Sequence, residues 1–192
     1  DLHSANQYNK RDGFNNSANL YLEHFPYLNR LWFGEYFDYD KAPDFWLTEV
    51  SGIPFGLMGE MLEKGGNKWR GMLYGMTNRM PYDGNNPSHI WKVWDEFGMT
   101  GSEMLGYWLD NNPVKTDNPN VLATVYRRKG SALIALASWA NEDVTVKLTI
   151  DYKQLGLSSK TKLEIPLVPE FQSAQTAAGN TVTVPKGKGL MI

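Results

Sequence analysis

The sequence predicts an α/β fold that passes into an all-β one: the C-terminal part of a (β/α)8 TIM-like barrel over residues 1–118, then an antiparallel β-sandwich over residues 119–192. Three observations predict it. Up to Trp108, short apolar runs of strand type alternate with helix-period segments, and beyond Asn120 the apolar period changes to two. Six of the seven tryptophans (Trp32, Trp46, Trp69, Trp91, Trp94 and Trp108) fall in the first part, and only Trp139 follows. That part has 10 Lys+Arg against 16 Asp+Glu, while the remainder has 9 against 5, so an acidic, tryptophan-rich segment precedes a basic one.

Asp1-Leu2-His3 is read as the end of an earlier strand. Segment 17–25 is helical by period, with Leu20, His24 and Phe25 near one face and Pro26 closing it. The aromatic run 28–37 (LNRLWFGEYF) reads as a buried strand. Pro43 then opens a helix that Gly52 ends, and the wholly apolar 53–58 (IPFGLM) reads as the next buried strand. After a Gly-, Asn- and Arg-containing stretch, Ile90, Val93, Trp94 and Phe97 fall at i, i+3, i+4 and i+7, with Gly98 as the stop. Thr100 and Glu103 have capping-box spacing ahead of Met104, Leu105, Tyr107 and Trp108, which predicts one more helix. A full barrel takes about 250 residues, so only its last third to half is expected here.

Residues 109–120 (LDNNPVKTDNPN), with two Asn-Pro steps, read as a linker. Beyond them, strands are expected at Val121–Arg128, Ala132–Trp139, Val144–Ile150, Leu163–Val168, Phe171–Ala177, Thr181–Val184 and Gly189–Ile192. Lys129-Gly130 is a hairpin signal between the first two. In the third, Val144, Val146, Leu148 and Ile150 alternate with Thr145, Lys147 and Thr149, so one face meets water.

Composition removes several classes of function. With 42% hydrophobic residues the chain can build a core. A net charge of −2 gives no pull on nucleic acid or an anionic membrane. No apolar run is long enough to span a bilayer, and absent cysteine excludes disulfides and thiolate chemistry. Neither a metal nor an organic cofactor is expected. A start at Asp1 without methionine suits a processed or excised piece, whose partner would be the upstream part of the same barrel.

Barrel chemistry sits where strands run into the following loops. That rule selects Asp1 with His3, Glu35 with Tyr36, and Glu60. Glu35 lies between Phe33, Gly34 and Tyr36, where a carboxylate is costly to bury unless it is used. Arg70 and Arg79, near Trp69, Tyr74, Asn78 and Tyr82, suit a pocket rim or, equally, ordinary ion pairs. Glycosidic cleavage commonly takes two carboxyl groups, and aromatic faces pack on sugar rings. Glu35, Glu60 and Asp1 are therefore the catalytic candidates, with His3, Tyr36, Trp69 and Arg70 for binding a carbohydrate substrate. Asp38, Asp40 and Asp44 read as loop and cap residues, Glu49 as a solvated helix residue and His89 as part of a first turn. Asp1, His3, His24 and Glu35 are the residues a metal site would draw on, but their spacing follows no ligand motif.

The runs DLHSANQYN (1–9), LYLEHFPYLNRLWFGEYFDYD (20–40), WLTEVSGIPFGLMGEML (46–62) and WRGMLYGMTNRMPY (69–82) resemble the closing barrel segments of bacterial glycoside hydrolases related to family 123. Residues 121–157 (VLATVYRRKGSALIALASWANEDVTVKLTIDYKQLGL) resemble the C-terminal β-sandwich that follows the barrel in such enzymes. The resemblance implies a hydrolase of glycosidic bonds, secreted or exported to the periplasm or cell surface. It also implies that the family's adjacent Asp-Glu catalytic pair lies upstream of residue 1. The alternative reading is a non-catalytic carbohydrate-binding or structural module.

Overall fold

The computed structural model describes residues 23, 25–27, 30–31, 39–59, 61–62, 66–78 and 86–192. The chain divides into two compact units, residues 1–87 and 88–192.

In the first unit, β1 (Arg30–Leu31) runs parallel to β2 (Met58–Gly59), and β3 (Met61–Leu62) runs parallel to β4 (Thr77–Asn78). Parallel neighbours need a crossover, and each pair has a helix between its strands. The first is α1 (Pro43–Phe45), which continues as a π-type turn over Trp46–Val50; the second is α2 (Lys68–Met72). Trp46, Val50, Leu62, Met72, Leu73, Tyr74 and Met76 make a dry core there. α2 approaches so closely that a Cβ on Gly71 would lie 2.7 Å from Leu62 Cδ1 and 2.9 Å from the Met76 carbonyl. The parallel pairing of the segments around 30 and 58 agrees with the sequence expectation. Between them the strand expected at 53–58 is mostly a 3-10 turn, Ile53–Phe55, bracketed by left-handed Gly52 and Gly56, and extended pairing begins only at Met58. α2, β3 and β4 were not foreseen; each is too short to leave a periodic pattern. Of the helix expected at 17–25, only Glu23 and Phe25 are described, and Phe25 opens a 3-10 turn with Pro26 and Tyr27. The expected strand at Asp1–His3 lies outside the described residues.

The second unit opens with α3 (Ser88–Phe97), which ends at Gly98 with φ 78° as its pattern predicts. β5 (Glu103–Leu105), β6 (Val114–Thr116), β7 (Val121–Arg128), β8 (Ser131–Ser138) and β9 (Val144–Ile150) follow. After a short α4 (Tyr152–Leu155) come β10 (Glu164–Ile165), β11 (Gln175–Thr176), β12 (Thr181–Val184) and β13 (Gly189–Met191). They form a four-stranded sheet in the order β13-β8-β7-β5, a three-stranded sheet β12-β9-β6 and the pair β10-β11, antiparallel throughout. Val121, Val125, Leu136 and Leu190 of the first sheet join Val114, Val146, Leu148, Val182 and Val184 of the second in one core. In β9, Val146 and Leu148 are buried between exposed Thr145, Lys147 and Thr149, as the alternation predicts.

Two expectations are corrected. The helix expected after Thr100 is strand β5: Glu103, the supposed capping residue, lies opposite Arg127 of β7, whose Nε donates to its carboxylate at 3.1 Å. A cross-strand ion pair has replaced the cap. The boundary at 118/119 also falls inside this unit, because β5 and β6 belong to its sheets. Asn112, from the supposed linker, is buried and holds three strands together. Its Nδ2 donates to the Leu105 and Ala123 carbonyls at 3.1 and 2.8 Å, and its Oδ1 accepts from Val114 N at 2.8 Å. At the outer flank of β13, the Gln172 amide donates to the Met191 and Pro166 carbonyls, each at 2.9 Å, and accepts from Met191 N at 2.6 Å.

Candidate active site

Of the residues expected to carry chemistry or bind sugar, Asp1, His3, Glu35, Tyr36 and Glu60 lie outside the described residues, as do Arg79, Tyr82 and the metal set Asp1, His3, His24 and Glu35. Trp69 and Arg70 are described, both on α2. Trp69 is half-buried, and the Lys68 ammonium stands 5.0 Å from its ring centroid. One aromatic face is thereby shared with a cation, an attraction worth about 0.5–2 kcal/mol depending on burial. Among the described residues no group of three or more His, Asp and Glu is placed to hold a metal ion.

Arg70 is the centre of the organised chemistry on this unit. α2 starts where Asn67 Oδ1 accepts from Arg70 N at 2.9 Å, a side-chain cap that fixes the first turn. The Arg70 side chain then turns inward. It is only 6% exposed, its Nη1 donates to the Tyr39 carbonyl at 2.6 Å, and the Asp40 carboxylate lies 3.5 Å away. Burial pushes the guanidinium pKa down from its ordinary value, against the charge and hydrogen bond of Asp40, which pull it up. The same Tyr39 carbonyl accepts from Trp46 Nε1 at 3.3 Å. The Trp46 ring lies 5.4 Å from that of Tyr39 and stacks on Tyr74 at 5.9 Å, while Tyr74 OH donates to the Pro43 carbonyl at 3.2 Å. Tyr39 is thus bound to both α2 and the π-type turn that continues α1, and Asp40 to α2. The partners described for Arg70, which the sequence suits to a pocket rim or to ordinary ion pairs, are the Tyr39 carbonyl and the Asp40 carboxylate.

Other polar groups bear on the question. Asn78, 5% exposed, has an Oδ1 without a hydrogen-bond partner among the described residues. It lies abreast of Leu62, which packs toward Gly71 of α2, and residues abreast in a ladder share a face. That face is the helix-covered one. Glu49, expected on a solvated face, is 4% exposed. The chain does carry one adjacent Asp-Glu step, Asp95-Glu96, although the resemblance puts the family's pair upstream of residue 1. Both residues are exposed on α3, and Glu96 pairs with Lys92 at 3.8 Å, so they form an ordinary solvated helix face. A groove of about 530 Å³ in the second unit has largely aliphatic walls, including Ile134, Ile150, Leu155 and Ile192.

No curated protein and no solved structure matches the chain. Two family descriptions do. Residues 1–81 match the TIM-barrel domain of glycoside hydrolase 123, and residues 86–192 match its C-terminal domain. The seam between the two matches falls at the division between the two structural units. Parallel strand pairs with intervening helices in the first unit are in keeping with a barrel domain, and the chain belongs to glycoside hydrolase family 123.

Proposed function

We propose that this chain supplies the last (β/α) units and the C-terminal β-sandwich of a glycosidase that cleaves poly- or oligosaccharides by carboxylate acid/base chemistry. The observation that carries the reading is the pair of family matches, barrel then C-terminal domain, in the order of the two units. On this reading Glu35, Glu60 and Asp1 are the candidate carboxyl groups, chosen from the sequence because barrel enzymes gather their reacting groups where strands run into loops. His3, Tyr36 and Trp69 bind the sugar, the aromatic rings against its C–H faces. No organic cofactor is invoked, and the protein acts outside the cytoplasm, in the periplasm, at the cell surface or beyond it. Among the described residues no helix is long and apolar enough to cross a membrane.

The test is turnover of aryl glycosides and polysaccharides by this chain joined to the barrel strands that precede it. Glu35→Gln is expected to lower kcat by about 100-fold or more, the usual contribution of a general acid or base. Glycan binding with no turnover by the intact protein would favour a non-catalytic carbohydrate-binding module instead.

A further inference from the structure

We draw no further inference here: the strongest candidate, the aliphatic groove of about 530 Å³ in the second unit, walled by Ile134 of β8, Ile150 of β9, Leu155 of α4 and Ile192, carries nothing because nothing in the structure shows what covers it.

Discussion

Asn112 shows how much a single polar side chain can organise. It replaces backbone pairing where Asn112-Pro113 interrupts the chain, donating to carbonyls of β5 and β7 and accepting from the first residue of β6. Removing it leaves two buried acceptors and one buried donor without partners, and each such loss costs about 1–3 kcal/mol. Asn112→Ala should therefore destabilise the second unit by about 3 kcal/mol or more, read from urea denaturation. Asn112→Asp adds a pH signature. An aspartate facing two carbonyls holds its proton more tightly folded than unfolded, so the variant should lose further stability as pH rises through about 4 and beyond. A deficit independent of pH would mean that the side chain reorients to water. In the sequence, Asn112 was one of several Asn-Pro turn markers, because its partners lie up to 11 residues away and leave no local trace.

Elements were legible in proportion to how far their own pattern determines them. β9 alternates strictly and was bounded correctly; β7 and β12 were too, and α3 carried its apolar stripe and its Gly98 stop in the sequence itself. β5 failed because Thr100 and Glu103 satisfy a helix rule locally, while Arg127, which decides the matter, is 24 residues on. The stretch 166–174 reads as parts of longer strands, yet only Glu164–Ile165 and Gln175–Thr176 form a ladder there, with a single bridge between Val168 and Gln172. Val168 and Phe171 pack inward while Leu167 is exposed, and Val168 N donates to the Gln172 carbonyl at 3.0 Å. For the candidate site the limit is the same. Arg70 is a residue type suited to a pocket rim, and its bond to the Tyr39 carbonyl, 31 residues earlier, leaves no short motif.

At the scale of the whole molecule, the second unit is a self-contained fold that begins before residue 119. β5 and β6 are outer strands of its two sheets, and the core runs from Leu105 to Leu190. A fragment of residues 88–192 should unfold in one cooperative transition on its own, whereas residues 119–192, lacking both strands and Asn112, should not. Comparison of denaturation curves for the two fragments decides between this boundary and the one sequence composition suggested. The free flank of β13 carries the remaining consequence. Met191 N and O point away from β8, which would ordinarily invite a strand from another molecule. Gln172 meets both with its own amide, a side chain imitating the next peptide unit. Polymerisation along this flank is thereby terminated from within. Gln172→Ala should expose the pair and give concentration-dependent association in sedimentation, while a strictly monomeric variant would show that the flank is guarded by other means. The last strand of the sheet thus ends on its own chain, and a second copy finds no unpaired edge there to extend.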